Sequence, residues 1–362
     1  VRLSSAEAPG TCLATAHQVV CSAAPDGLVG RSRATGAVTW RVPGSGTGKN
    51  GGLVIAAGAA RAVTSSGRTL RAADLRTGRQ AWSHRLPAGH TYTGAGSDGT
   101  TVFAYESGGG PAGRAGSPPT VLAAFRGSDG TPLWHKTVAA AADTAPTAFG
   151  GRVYTTDGAR VTARDNRTGA VLATSPRGAE CPALVSGGHY LVCTGSPYSA
   201  SDIFPPVRRL DPASLQPLST VPEPSMMPRR GMVSPDGVLM LFETSAEDPG
   251  AGTWEAYDLG RPRKLWSYAT TTDEGALCGE RFATFTPAYG PGTGRLITFD
   301  LHAGPHGTGS EAPRQSATHQ ETRWSERPAV IVPDGGSGHP DPPGHVVVEG
   351  HVHHTLRSIA TP

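Results

Sequence analysis

The stretch AADLRTGRQAW, residues 72–82, is a strand end, a tight turn and a strand start, and versions of it recur along the chain. Asp74 opens the turn, Thr77-Gly78 closes it, and Trp82 follows eight residues after Asp74. Aligned on Asp74, the equivalent markers are Ser32 in VGRSRATGAVTW, Arg126 in LAAFRGSDGTPLW, Asp165 in VTARDNRTGAVLA, Asp211 in RRLDPASLQPLS, Asp258 in EAYDLGRPRKLW, Asp300 in LITFDLHAG and, weakly, Ala360 in LRSIATP. Eight residues after the first six markers stand Trp40, Trp82, Trp134, Ala173, Ser219 and Trp266; the seventh unit carries an insertion, and Trp324 is its tryptophan. A repeat of roughly 45 residues must be read before any local motif, because it dictates the architecture.

Between markers the chain reads as short β-rich runs cut by Gly, Pro, Asp and Ser. The second unit shows the set: GLVIAAG, ARAVTSS, TLRAADL and RQAWSHRL. Period-two runs of this length with dense turn signals indicate strands, and four strands per unit is the pattern of a β-propeller blade. The Asp and the Thr-Gly make the turn from the third strand to the fourth, with Gly at the position that needs positive φ. The recurring tryptophan of the fourth strand (Trp40, Trp82, Trp134, Trp266 and Trp324) then packs between neighbouring blades. The expected fold is all-β: one domain over residues 1–362, an eight-bladed propeller of four-stranded blades. The last unit stops without a fourth strand, so residues 1–7 are expected to supply it and close the ring. Seven blades is the alternative, with the C-terminal segment decorating the ring.

Composition narrows the function classes. The 49 Gly and 32 Pro fit a turn-rich β protein, and the net charge of +3 without charge runs argues against a nucleic-acid partner. No apolar run reaches membrane-spanning length, so no membrane insertion by this segment is expected. Because Val1 opens the chain with no apolar leader, a signal peptide or anchor is expected upstream of it. Cys12 and Cys21 flank LATAHQVV, and Cys181 and Cys193 flank PALVSGGHYLV. Each pair reads as two short strands around a turn, so two cross-strand disulfides and an oxidising compartment are expected; four unpaired buried thiols is the alternative. Cys278 is left over, as a buried free thiol or as the partner of a cysteine upstream.

The phrase AADLRTGRQAW resembles the repeat of PQQ-like propellers, in which A-x-D-x-x-T-G-x-x-x-W marks each blade. The resemblance covers nearly the whole chain, sharply in units one to four and weakly in five, seven and eight. That family includes quinoprotein alcohol dehydrogenases, the scaffold lipoprotein of outer-membrane protein assembly, and sensor or interaction ectodomains of bacterial secreted proteins and receptor kinases. The motif is specific for the fold and not for an activity. Similar dehydrogenases stack an adjacent Cys-Cys disulfide on the quinone and hold Ca²⁺ with an acidic residue and an Asn. This chain has no Cys-Cys pair, and its only asparagines are Asn50, in a Gly-rich loop, and Asn166, in a turn. Catalysis and a cofactor are therefore not expected.

Other chemistry is weighed residue by residue. His351 and His353 of HVHH alternate on one side of a strand and, with Glu349, would suit Zn²⁺ or Cu²⁺; a polar loop is the plainer reading. Ca²⁺ is the other metal considered, without a clustered oxygen supply. The Ser-Pro-Asp-Gly run at 234–237 is a hairpin turn, and Asn166-Arg167-Thr168 is turn chemistry that matches a glycosylation sequon. Met226, Met227, Arg229 and Arg230 form an adaptable apolar pair beside two charges, suited to a protein contact, with an ordinary exposed connector as the alternative. Loop lengths carry further. Connections from strand four to the next strand one share a face with those between strands two and three, and most long ones fall there: 44–52, 107–119, 197–206, 222–230, 248–252, 287–293 and 351–354. The expected function is a monomeric, extracytoplasmic, non-catalytic binding or sensing scaffold that uses this loop-rich face for a protein partner. The rivals are a quinone- or metal-dependent oxidoreductase and a glycan-binding propeller, the latter with Tyr92, Tyr198 and Tyr289 as exposed aromatics.

Overall fold

The computed structural model describes residues 12–15, 17–23, 27–43, 53–58, 60–108, 120–140, 144–178, 180–195, 206–222, 227–244, 252–270, 273, 275–285, 296–305, 310–311, 328–332, 345–350 and 355–360. These form strands and turns with no helix. Sheet 1 holds β1 (Cys12–Ala14), β2 (Gln18–Ala23), β3 (Gly27–Ser32) and β4 (Val38–Val42). Sheet 2 holds β5 (Leu53–Ala57), β6 (Arg61–Ser66), β7 (Thr69–Asp74) and β8 (Gln80–Arg85). Sheet 3 holds β9 (His90–Ser97), β10 (Thr101–Gly108), β11 (Thr120–Arg126) and β12 (Pro132–Val138). Sheet 4 holds β13 (Thr147–Phe149), β14 (Arg152–Thr156), β15 (Val161–Asp165) and β16 (Val171–Thr174). Sheet 5 holds β17 (Ala183–Gly187), β18 (Tyr190–Thr194), β19 (Arg208–Leu210) and β20 (Pro217–Thr220). Sheet 6 holds β21 (Met227–Val233), β22 (Val238–Thr244), β23 (Gly252–Asp258) and β24 (Arg263–Thr270). Sheet 7 holds β25 (Gly275–Cys278), β26 (Arg281–Phe285), β27 (Leu296–Asp300) and β28 (Ser310–Glu311). The three-stranded sheet 8 holds β29 (Pro328–Val332), β30 (His345–Gly350) and β31 (Thr355–Ala360).

Every sheet is an antiparallel meander in chain order. First strands neighbour one another in succession, β1 by β5, β5 by β9, β9 by β13, β13 by β17 and β17 by β21, and β29 contacts both β25 and β1. The expected closing strand, residues 1–7, lies outside the described residues. The hydrophobic cores sit between sheets and not within one. Along β22, Leu239 and Leu241 pack with Val192 and Val207 of sheet 5, while Val238, Met240 and Phe242 face Phe282 and Phe299 of sheet 7. Both faces of a second strand are thus buried, which is why VLMLFET is an unbroken apolar run apart from its end.

The recurring phrase is a joint between sheets. Asp74 Oδ1 accepts from the amides of Arg76 and Thr77 and from Thr77 Oγ1, and the Gly78 amide donates to the Asp74 carbonyl. Asp165 repeats the pattern with Arg167 and Thr168, and Asp211 with Ala213 and Ser214. The carbonyl just after the marker is left facing the preceding sheet, where an indole fills the gap. Trp40 Nε1 donates to Leu75 O at 3.0 Å, Trp82 to Gly127 O at 2.9 Å, Trp134 to Asn166 O at 2.9 Å and Trp266 to Leu301 O at 2.8 Å. Each indole lies on the glycine that closes the next turn. A Cβ at Gly78, Gly130, Gly169 or Gly304 would stand 2.3–2.7 Å from the ring, and all four have positive φ. The glycine therefore meets two demands, the left-handed backbone and the close approach of the ring.

Sheets 4 and 5 solve the same problem without tryptophan. At Ala173 the indole is missing, and the glycine position of the following turn is Leu215, the only described non-glycine residue with positive φ. Leu215 is fully buried in the core shared with Ala163, Tyr154 and Ala173, where the ring would have been. The orphan carbonyl of Pro212 accepts from Tyr154 Oη at 3.2 Å. At Ser219 the indole is missing again. Its cross-strand partner is Arg209, where other sheets carry Gly30, Ala72, Ala124, Ala163 or Ala256. Arg209 reaches through that space and donates to Leu259 O at 3.1 Å, with its guanidinium over the Tyr190 ring. Trp324 lies outside the described residues.

Two disulfides join Cys12 to Cys21 and Cys181 to Cys193. The first links directly opposed residues of β1 and β2. The second does not span two strands: Cys181 precedes β17 and forms an isolated bridge with Gly158, so it also ties sheet 4 to sheet 5. Cys278 lies on β25, and its side chain is not among those described.

Candidate functional site

Because the sheets are meanders, connections between strands two and three and those between consecutive sheets emerge on one face. The ends of β10, β18, β22 and β26 point there, as do the starts of β5, β9, β17 and β21. Residues 44–52, 109–119, 196–205, 223–226, 245–251, 286–295 and 351–354 lie outside the described residues, and with them Met226, Tyr198, Tyr289, His351 and His353.

On that face a cleft of about 210 Å³ opens between the first strands of sheets 5 and 6. Its wall is mainly apolar: Leu184 and Val185 of β17, Leu241 of β22, and Pro228 and Gly231 of β21. Arg230 is the charged residue of the lining, half-buried, with Nη1 donating to the Asp273 carbonyl at 3.2 Å. Residues 227–230 are therefore not an exposed connector. They begin the innermost strand of sheet 6, with Pro228 buried. Pro228 cannot donate to a ladder, and a bulge between Pro228 and Arg230 accommodates it. Met227 and Arg229 share this strand, but their side chains are not among those described.

Tyr92 is a second correction. It is buried in the core between sheets 2 and 3 and is not an exposed platform for a sugar. Burial and the nearby Glu106 carboxylate push its phenol above the usual range. Glu106 itself is raised by burial, opposed by His135, His90 and His84. His135 Nε2 stands 3.7 Å from Glu106 Oε1, and His84 is held away, stacked on Phe125 and bonded to Gly130 O. Among the described residues no group of three or more His, Cys, Asp or Glu could hold a metal ion.

A polar cluster that sequence reasoning missed lies between sheets 5 and 6. Tyr257 Oη donates to Glu255 and stands 3.2 Å from Glu243 Oε1, while Lys264 Nζ donates to the other oxygen of Glu255. Glu243 and Glu255 are both buried. Burial pushes the Glu255 carboxyl up, but bonds from Lys264, Tyr257 and Glu243 hold it below the ordinary glutamate value. The Tyr257 phenol is driven far up by burial and by the two carboxylates. A phenol has one proton, so Tyr257 cannot donate to both acids at once. The period-two spacing of Glu243, Glu255 and Tyr257 on adjacent strands was the available signal.

On the opposite face, Ser234, Asp236 and His302 form a chain of contacts, with His302 Nε2 2.8 Å from Asp236 Oδ2 and Ser234 Oγ on the other carboxylate oxygen. The carboxylate stands between hydroxyl and imidazole, and Ser234 Oγ also caps the Val238 amide. This is a turn device: Gly237 has φ +93° and the hairpin docks on the Asp300 turn. Asp98 acts likewise between sheets 3 and 4, accepting from Asn166 Nδ2 at 2.7 Å, which occupies the side chain of the sequon.

A family model described as outer membrane protein assembly factor BamB matches residues 3–114 and 93–192. Solved structures share the fold at low identity. BamB from Moraxella catarrhalis is 14% identical, with a TM-score of 0.53 over 77% of this chain and 82% of that one. The computationally designed Ika8 protein gives 0.66 at 13% identity, over 99% of this chain and 97% of that one. The C-terminal WD40 domain of Sif2 gives 0.62 at 10% identity, over 100% of this chain and 97% of that one. No curated protein matches the chain in sequence.

Proposed function

Because the chain belongs to the PQQ-like repeat family described as outer membrane protein assembly factor BamB, we propose a non-catalytic, extracytoplasmic protein-interaction scaffold whose partner binds at the face bearing the cleft between β17 and β21. The observation that carries the reading is that cleft. It pairs an apolar wall with one anchored guanidinium, at the mouth of the inner strands and at the root of the long connections. Apolar anchors in a pocket ringed by polar groups are how small interfaces gain most of their affinity. Two disulfides fit an oxidising compartment. The ring is read as eight-bladed, a reading that the contacts of β29 with both β25 and β1 support, and residues 1–7 are proposed as the outer strand of sheet 8.

The test is site-specific photocrosslinking in the native cell envelope, with the photoreactive residue at Leu184 or Arg230 on the cleft face and at Asp236 or Asp98 on the opposite face. Defined adducts from the cleft positions alone are the expected result. Adducts of equal yield from both faces, or from the opposite face only, refute it.

A further inference from the structure

The outer strands of the sheets differ in a way that the repeat does not require. An outer strand presents unpaired backbone groups and templates pairing with another chain unless it is protected, most simply by charge. β4 carries Arg41, β8 carries His84 and Arg85, β12 carries His135 and Lys136, β24 carries Arg263 and Lys264, and β28 carries Glu311. β16 (VLAT) and β20 (PLST) carry no charge. They are the outer strands of consecutive sheets, and among the described fourth strands of sheets 1 to 6 they are the two without the docking tryptophan.

Exposure follows the same division. The position just before the tryptophan is leucine in four sheets. Leu133 and Leu265, beside Trp134 and Trp266, are packed against their cores. Leu172 and Leu218, beside Ala173 and Ser219, are 48% and 52% exposed. Val171 adds a third apolar side chain at 54%, next to Leu172 at the bulge of the strand. With Val38, these are the large apolar side chains exposed among the described residues.

We propose that the uncharged outer edge of β16 docks an extended, uncharged segment of a partner polypeptide as an added β-strand. Main-chain bonds to the free edge would supply the affinity, and Val171 and Leu172 the side-chain contacts. Size selects this occupant over a second copy of the chain. A four-residue strand is about 13 Å long, and over a layer about 10 Å deep its edge offers on the order of 130 Å², far short of the roughly 800 Å² per partner that a stable dimer buries. It suits a transient strand. This surface lies on the rim and is separate from the cleft face.

The test uses a fluorescein-labelled, end-capped peptide of alternating Thr and Val, read by anisotropy against the intact protein. The expected result is saturable binding that weakens at least fivefold in Leu172→Lys and in Val171→Lys, while Val38→Lys on sheet 1 leaves it unchanged. The same peptide N-methylated at alternate amides, which cannot pair as a strand, should not bind. Circular dichroism of each variant checks the fold. No binding by the wild type, equal binding by Leu172→Lys, or equal binding of the methylated peptide overturns the proposal. So does sedimentation showing wild-type dimers that Leu172→Lys abolishes, which would assign the edge to a second copy.

Discussion

Gly130 and Gly89 have almost the same backbone, with φ of +74° and +81°, but different surroundings. A Cβ on Gly130 would lie 2.6 Å from Trp82 Cγ, whereas one on Gly89 would meet nothing within 4 Å. Replacing each by alanine therefore separates the two demands placed on the turn glycine. The left-handed backbone costs a non-glycine residue about 1–2 kcal/mol, and this is all that Gly89→Ala should lose. Gly130→Ala adds overpacking against a buried indole that is pinned by its bond to Gly127 O, worth a further ~1–3 kcal/mol. At a urea slope near 3 kcal/mol/M the difference is roughly 0.3–1 M in midpoint. The assay is paired urea unfolding followed by circular dichroism and tryptophan emission. Equal midpoints for the two variants would refute the claim that the glycine is kept for the indole as well as for the turn.

Three further outcomes follow from the same contacts. Trp82→Ala should cost about 3–5 kcal/mol, but the double variant Trp82→Ala with Gly130→Leu rebuilds the Ala173–Leu215 joint. Urea unfolding should show it less destabilised than the sum of its two single changes, by about 1 kcal/mol or more. Cys181→Ser should lower stability by about 2–4 kcal/mol, and limited proteolysis should show the first cut near the joint of sheets 4 and 5. Glu255 titrates below its ordinary value, so its contribution is complete above the unfolded-state pKa of 4.5 and is lost as pH falls through the lower folded value. Lys264→Gln removes the cation that helps hold that value down, so its acid-unfolding midpoint, read by tryptophan emission, should move to higher pH, with about 1–3 kcal/mol lost at neutral pH.

The strands, the Asp-led turn and the position of the tryptophan were legible because each rests on a local rule that repeats. Glycine at positive φ, a short acid bonding its own turn and an aromatic at fixed spacing leave the same mark each time. What failed had no local mark. Pro228 reads as a loop residue until the bulge that admits it is seen. Tyr92 reads as an exposed loop aromatic, yet the sheet buries it in the core with Leu86 and Phe125. Leu215 and Arg209 look like decay of the repeat. They are its replacements, recognisable only once the missing indole leaves a volume and an unmet carbonyl.

That substitution bears on where the molecule can change without losing its fold. A joint needs its core filled and its marker carbonyl capped, and Leu215 with Tyr154, or Arg209, meets both needs from the second or third strand or the next turn. The outer strand then has no docking duty. Ala173 still abuts the Leu215 core, but neither it nor Ser219 pins its strand through an indole, and the leucines beside them stand exposed to solvent. Sheets that keep the tryptophan must keep the outer strand in register, and they protect it with charge. The two sheets that moved the joint inward are the two whose edges went uncharged and apolar. Restoring the joint therefore tests the link. Ala173→Trp with Leu215→Gly should place an indole that donates to the Pro212 carbonyl, bury Leu172 and, if the edge is the docking surface, weaken capture of the strand peptide. Tryptophan emission that stays solvent-exposed in this variant, with peptide capture unchanged, would separate the two features and leave the uncharged edges without this explanation.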